Sequence, residues 1–218
     1  MPDRIVPARL SAPSARRLLA RFGRARDGVA AVEFALVLPL MVLIFICYTE
    51  MSRACDNYKK VILLARTVSD LTSQGDRTDP IPAAKMNDIL AASTLVLRPF
   101  SSANAKIVVS AVGVYSVSNA LKPRVCSSYA WNGATVRPTG IASDLSVPDG
   151  YQVAGMRYVI AEVTMPYAPM LGSLVAYWIG AGKGQYTFVV KTPWPVRGGT
   201  VVNGTYTEVR LPNGAACP

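Results

Sequence analysis

Histidine is absent from the 218 residues of this chain. Its absence excludes Ser-His-Asp triads, histidine general bases and most zinc sites. The four cysteines include no C-x-x-C pair, which excludes a zinc ribbon and a thioredoxin-type redox motif. We therefore assign no catalytic role to any residue, and we expect neither a metal nor a cofactor.

Acidic residues are also scarce, with 13 against 23 basic residues and a net charge of +10. Seven arginines and two aspartates lie in residues 1–28, which therefore hold +5 of this charge. The remaining charges are dispersed, without a basic cluster interleaved with aromatic residues. This distribution is typical of a basic flank beside a membrane span and argues against a nucleic-acid partner.

One long apolar run extends from Val29 to Tyr48, 20 residues in all. A helix of that length is about 30 Å long, the thickness of the hydrocarbon layer of a membrane. The run is too long for the core of a signal peptide, and no small-residue cleavage site follows it. The next apolar stretch, Tyr167 to Ile179, is too short to span, and we interpret it as a core or surface-associated segment. The sequence thus predicts a single span in contact with membrane lipid.

Basic residues on the two sides of the span predict its direction. Residues 9–28 contain six arginines, whereas residues 49–68 contain four basic residues. Because cytoplasmic flanks carry the excess of positive charge, we expect a cytoplasmic N-terminus and a periplasmic C-terminal domain.

A single acid, Glu33, interrupts the apolar run five positions after Gly28. A charge inside an apolar span is costly without a partner, so Glu33 is a candidate functional residue. Cleavage after Gly28 would leave a free amine on Val29, four residues from the Glu33 carboxylate. This spacing makes Gly28 and Val29 a candidate processing site.

Gly28, Glu33 and the string Glu33-Phe34-Ala35-Leu36-Val37-Leu38-Pro39 resemble the N-terminal motif of TadE-like proteins. These proteins are minor pseudopilins of the tight-adherence (Tad, or Flp) branch of type IV pilus systems. The resemblance implies a bacterial inner-membrane protein needed for assembly of an adhesive pilus. It also implies removal of residues 1–28 by a prepilin peptidase. Other pilin and pseudopilin subunits and the Tad inner-membrane assembly components are the further partners that it implies.

The motif residues carry specific expectations. Glu33 and Phe34 would form a subunit-docking site, in which the Glu33 carboxylate pairs with the Val29 ammonium of a neighbouring subunit; an interfacial glutamate without a specific partner is the alternative. Gly28 either suits the narrow site of a protease or only breaks the chain before the helix. Pro39 predicts a kink, which is either simply tolerated or helps the helix leave the bilayer.

The predicted fold class is α+β. An apolar stripe from Met51 to Val68 extends the helix past the membrane, so we expect one helix from Val29 to Gln74 that stops at Gly75; two helices joined near Thr49 are the alternative. The expected regions are a basic leader at 1–28, a span at 29–48, a periplasmic helical extension at 49–75 and a periplasmic head at 76–218.

The head pattern predicts a shorter helix followed by strands. The helix is expected at Ala83–Leu97, with four side chains inward: Met86, Ile89, Leu90 and Leu95. β-Branched runs predict strands at 106–115, 158–165 and 185–192, and a hairpin at 200–209 turning at Asn203-Gly204. We expect an antiparallel sheet packed on the long helix.

A disulfide between Cys126 and Cys217 is expected because both lie in the periplasmic head, where oxidation is permitted. A bond between Cys47 and Cys55 is excluded, because their Cα atoms would lie about 12 Å apart along a continuous helix. The limit for a disulfide is roughly 7 Å.

Other motifs carry no function. Gly180 to Gly184 lacks the Ser or Thr of a phosphate-binding loop, and nothing in the spacing brings Asp144, Asp149 and Glu162 together as an acid pair. The competing hypothesis for the whole chain is an unprocessed single-span envelope protein whose periplasmic domain binds a ligand or partner.

Overall fold

The computed structural model describes residues 27–76, 78–170, 177, 185–202 and 204–218. The chain divides into two units, Met1–Thr49 and Glu50–Pro218. Helix α1 runs from Asp27 to Ser73 and includes Pro39. The single long helix expected from Val29 to Gln74 is therefore confirmed, with its ends within two residues of the prediction. Within the described residues, this is the one helix long and apolar enough to cross a membrane.

Helix α1 ends where Gly75 takes a left-handed conformation, with φ of 67°. Its N–H donates to the carbonyl of Thr72 at 3.0 Å, which satisfies one of the free carbonyls at the helix end. A Cβ atom at position 75 would lie 2.9 Å from the backbone nitrogen of Gly199. Both the backbone angle and the close approach require glycine, so the predicted stop at Gly75 is confirmed.

A second helix and seven strands follow α1 in the described part of the chain. Helix α2 spans Ala83–Thr94 and continues as a 3₁₀ turn at Leu95–Leu97. The strands have the following bounds: β1 Lys106–Val117, β2 Ala120–Trp131, β3 Gly140–Ile141, β4 Arg157–Tyr167, β5 Tyr186–Pro195, β6 Thr200–Val202 and β7 Tyr206–Glu208. A 3₁₀ turn at Asp149–Tyr151 precedes β4.

The first five strands form one antiparallel sheet in the order β3-β2-β1-β4-β5, and β6 pairs with β7. The three predicted long strands and the predicted hairpin are present, which confirms the α+β class. Strand β2 was not predicted. Between Ala111 and Val112 of β1 the pairing shifts by one residue, so Cys126 is an extra residue in β2, as in a β-bulge.

One face of the sheet packs on helices α1 and α2. The core there contains fully buried side chains from α1, among them Val61, Leu64 and Val68, and from the strands, among them Val109 and Val159. Each such side chain contributes about 1.5–3 kcal/mol on leaving water. The expected packing of an antiparallel sheet on the long helix is confirmed.

The opposite face of the sheet is covered by the chain between β3 and β4. Val112, Val125 and Tyr158 point to that side and pack with Ala142 and Leu145. Strands β1 and β4 are thus buried on both faces, which explains why their sequences are nearly continuous apolar runs rather than alternating ones.

Two parts of the predicted core differ from the structure. Leu95 is 58% exposed, whereas Leu97 is fully buried. Leu97 follows Leu90 by seven residues, which is two helical turns and therefore the same face, while Leu95 is turned away by about 140°. On α1, Met51 and Tyr58 of the expected apolar stripe are exposed, and Asn57 is buried instead.

Candidate functional site

The candidate processing site lies in the first turn of α1, which begins at Asp27. Gly28 is exposed, and nothing lies within 4 Å of a Cβ atom placed there. Val29 is 55% exposed. Both residues of this peptide bond are therefore exposed at the start of the described part of α1.

Glu33 lies one helical turn beyond Val29, so the two side chains share a face of α1. Its carboxylate is exposed, and no hydrogen bond or ion pair joins it to any residue that the structure describes. The side chains around it are apolar and exposed, with Val32 at 61% and Leu36 at 76%. A single charge is therefore presented on an apolar helical surface without a partner.

Phe34 and Pro39 lie on the same exposed helix. Phe34 is 60% exposed and adjoins Glu33. Helix α1 is continuous through Pro39. Pro39 lacks the N–H that would bond to the carbonyl of Ala35, so one hydrogen bond of the helix is missing at this point.

Charged side chains in the second unit pair with one another. Arg137 contacts Glu162, and it also donates to Asp144 at 2.7 and 3.0 Å; Lys191 lies 3.1 Å from Glu162. The hydrogen bonds from Arg137 lower the pKa of Asp144. Burial acts to raise the pKa of Glu162, but the bonds from Arg137 and Lys191 outweigh it and lower that pKa overall.

The arrangement has a structural role. Asp144 and Glu162 both contact Arg137 and Lys191, which their spacing did not predict, and these cations keep both side chains as carboxylates. Asp149 accepts a hydrogen bond from Gln152 instead. Within the described residues no group of three or more Cys, Asp or Glu side chains could hold a metal ion. A depression of about 580 Å³ beside β2 and β3 has one ionisable side chain in its lining, Lys122.

Cys126 and Cys217 form a disulfide, with Cα atoms 4.9 Å apart. The β-bulge at Cys126 turns this residue out of the regular pairing of β1 with β2 and toward the C-terminal segment. Cys47 and Cys55 are exposed free thiols.

A buried ion pair lies beside the disulfide. Arg157 Nε donates to Glu208 Oε2 at 3.3 Å, and the side chains are 5% and 3% exposed. The other carboxylate oxygen of Glu208 accepts the backbone N–H of Cys217 at 2.8 Å. The guanidinium of Arg157 also lies over the ring of Tyr115, 5.2 Å from its centroid. The sequence did not predict this pair, because Arg157 and Glu208 are 51 residues apart. The one available signal was an arginine directly before a strand predicted to be buried.

Four features of the sequence lie wholly or mostly outside the residues that the structure describes. These are the basic leader before residue 27, the part of the apolar stretch Tyr167 to Ile179 that follows Met170, the Gly180 to Gly184 segment and Asn203 between β6 and β7.

The exposed apolar segment that contains Glu33 lies in the part of the chain that matches a known family. The model of the TadE-like protein family matches residues 28–68. This segment is TadE-like. The resemblance based on Gly28, Glu33 and the following residues is thereby confirmed over α1, and it indicates an envelope protein associated with a Tad pilus. The TadE-like family is not a family of enzymes. No curated protein and no solved structure matches the chain.

Proposed function

We propose that this TadE-like protein is a pseudopilin-like component of the bacterial inner membrane, needed for assembly of a Tad/Flp-type adhesive pilus. Residues 1–28 are a cytoplasmic leader, 29–48 the span, 49–75 the extension of the helix and 76–218 a periplasmic head. A prepilin peptidase removes the leader after Gly28. The partners are that peptidase, other pilin and pseudopilin subunits, the Tad inner-membrane components and lipid, without nucleic acid.

The environment of Glu33 is the observation that carries this proposal. Its carboxylate is exposed among apolar side chains and is unpaired among the described residues. An anchor that only crossed a membrane would gain nothing from such a charge, which lipid disfavours. If the helix leaves the bilayer and packs among other helices, the Glu33 carboxylate can form an ion pair with a cation that lies at the same axial level.

Cleavage after Gly28 supplies that cation. The new ammonium of Val29 stands at the N-terminus of α1, where the helix dipole disfavours positive charge. Pairing with the Glu33 carboxylate of a neighbouring subunit relieves both charges. Opposite charges about 4 Å apart gain about 4 kcal/mol at an effective dielectric constant near 20, before desolvation is subtracted. The desolvation cost is of similar size, so the ion pair adds little net binding energy. Its main effect is to select the axial position at which a processed subunit docks.

The processing step is tested by reading the N-terminal residue of the protein recovered from membranes of the pilus-bearing bacterium. We expect Val29 to be the first residue. In Gly28→Leu the bulky side chain at the cleavage site should block processing, and the protein should keep its leader and remain in the membrane.

Gly150→Leu is the matched control, because Gly150 is also exposed, with nothing within 4 Å of an added Cβ atom. This variant should be processed like the parent. Recovery of the parent with Met1 at its N-terminus would contradict the proposal and favour the unprocessed envelope protein with a ligand- or partner-binding head. A Gly28→Leu protein of mature size would place the cleavage elsewhere.

A further inference from the structure

Aromatic side chains cluster at the end of the sheet formed by the last residues of β4 and the first residues of β5. We call this cluster, with the methionine beside it, the aromatic rim: Tyr58, Tyr167, Met170, Tyr186 and Phe188. The ring centroid of Phe188 lies 5.4 Å from that of Tyr58 and 5.9 Å from that of Tyr167. Tyr186 is opposite Tyr167 in the strand register.

The rim is partly open to solvent. Met170 is 68% exposed, Tyr58 44% and Tyr186 39%. Tyr167, by contrast, is buried and anchors the others to the sheet. Side chains with an apolar body and a polar tip are the ones that favour the boundary between water and hydrocarbon.

The rim is tied to the start of the second unit. The Glu50 carboxylate accepts hydrogen bonds from the hydroxyl of Tyr167 at 3.4 Å and from the backbone N–H of Met170 at 3.2 Å. The guanidinium of Arg53 contacts the sulfur of Met170. Glu50 and Arg53 are one turn apart on α1, so both hold the same end of the β4–β5 sheet.

Chain length sets how far this end can be from the span. Glu50 follows Tyr48 by two residues, so their Cα atoms are at most about 7 Å apart whatever the conformation between them. The headgroup layer on each side of the hydrocarbon core is about 5–8 Å thick. If the span ends at Tyr48, Glu50 lies in or at the edge of that layer, and so do the groups that bond to it.

We propose that the aromatic rim docks on the lipid headgroups of the membrane that α1 crosses. This inference rests on the proposed insertion of residues 29–48. Tyr186 presents a ring and a hydroxyl to the interface, Met170 presents an apolar thioether, and Arg53 offers a cation to lipid phosphate. The sequence after Met170 is compatible with this position, since it contains no charged residue before Lys183.

The test measures how deeply chosen residues lie, using the full chain in phosphatidylethanolamine–phosphatidylglycerol vesicles. A nitroxide label is attached to single free cysteines, while Cys126 and Cys217 remain bonded. In the Cys55→Ser variant the label is on Cys47 of the span. In the Cys47→Ser/Cys55→Ser/Met170→Cys variant it is on position 170 of the rim. Collisions with oxygen report lipid, and collisions with a water-soluble nickel chelate report solvent.

Val201→Cys in the same Cys47→Ser/Cys55→Ser background is the matched control. Val201 is 62% exposed, close to the exposure of Met170. Val201 lies on β6, and Gly199, just before this strand, packs against Gly75 after the end of α1. Gly75 is about 35 Å from Glu50 along the helix direction, so position 201 is far from the aromatic rim. We expect free access of the chelate to position 201, loss of most of that access at position 170, and almost none at Cys47.

The outcomes separate the two proposals. A label at 170 that collides with the chelate as often as the label at 201, while Cys47 is shielded, would overturn the docking of the rim alone. Access of the chelate to Cys47 would overturn membrane insertion as well. If the 170 variant misfolds, Tyr186→Cys probes the same rim with the same expectation.

Discussion

Two glutamates of this chain have opposite environments. Glu208 is 3% exposed, and its two carboxylate oxygens accept hydrogen bonds from Arg157 and from the backbone of Cys217. Glu33 is exposed on an apolar helix, and no described residue bonds to it. The first carboxylate is therefore committed to the fold of the head, whereas the second is available to another molecule. Substitutions at the two positions should fail in different ways.

Glu33→Gln removes the charge and keeps the size and polarity of the side chain. We expect nearly normal expression and cleavage, but less co-purification with other pilin-like subunits and fewer pili, because the docking charge is gone. The measurements are pull-down from solubilised membranes and counting of pili by electron microscopy. Asp56→Asn, which neutralises an exposed acid further along α1, should assemble like the parent. Normal piliation of Glu33→Gln would show that Glu33 is not the docking charge.

Glu208→Gln leaves the Arg157 guanidinium buried without a counter-charge. Loss of one partner of a buried pair costs about 3–5 kcal/mol, so the midpoint of urea unfolding should fall markedly, as followed by tryptophan fluorescence of the chain in detergent. Asp144→Asn is the control: this side chain is 55% exposed, and loss of a surface pair costs less than about 1 kcal/mol. Equal effects of the two changes would contradict the structural role of Glu208.

The elements of the fold were predictable where one pattern dominated. Helix α1 begins with a long apolar run, β1 and β4 are nearly continuous apolar runs, and β5 is rich in β-branched and aromatic residues. Strand β2 was missed because Pro123 and the polar residues Arg124, Ser127 and Ser128 break its pattern. In the structure, Pro123 lies near the strand end, where its carbonyl accepts a bond from Ala142. Its missing N–H costs less there than in the middle of a sheet.

The segment between β2 and β4 was unpredictable for a related reason. It has almost no regular structure, and it is held to the sheet by pairs of residues that are distant in sequence. Arg137 donates hydrogen bonds to Asp144 in the same segment and to Glu162 on β4. Periodicity reveals apolar faces, but it contains no information on which charges meet.

This attachment predicts how stability depends on pH. The pKa of Glu162 is lower in the folded chain than its ordinary value of 4.5, so its ionised form stabilises the fold. That contribution is complete above the ordinary value and is lost as the pH falls through the lowered pKa. In Glu162→Gln this titration is absent. The difference in urea midpoint between parent and variant should therefore shrink between pH 7 and pH 3.

The control for this titration is Val189→Ala, which changes an exposed neighbour on β5 that does not ionise. Its difference from the parent should be the same at every pH. A parent-to-Glu162→Gln difference that also stayed constant would mean that the carboxylate does not stabilise the fold through its charge.

At the scale of the whole molecule, the sequence was sufficient to predict an apolar helix followed by a mixed α+β domain, because the two regions differ in composition. The TadE-like motif lies entirely in α1, and its family model ends at residue 68. The proposed function therefore rests on α1, and the proposed docking of the head on lipid rests on its contacts with Glu50 and Arg53.

The state of the cysteines connects the fold to the proposed orientation. Cys126 and Cys217 are bonded to each other, while Cys47 and Cys55 are free. A disulfide persists in the oxidising periplasm and is rare in the reducing cytoplasm, so the bond supports the proposed periplasmic position of the head. Maleimide–polyethylene glycol added to denatured, unreduced protein from membranes should modify two cysteines, and four after reduction. Cys126→Ser should expose a third thiol by releasing Cys217. Four reactive thiols in the unreduced parent would contradict both the bond and the periplasmic position of the head.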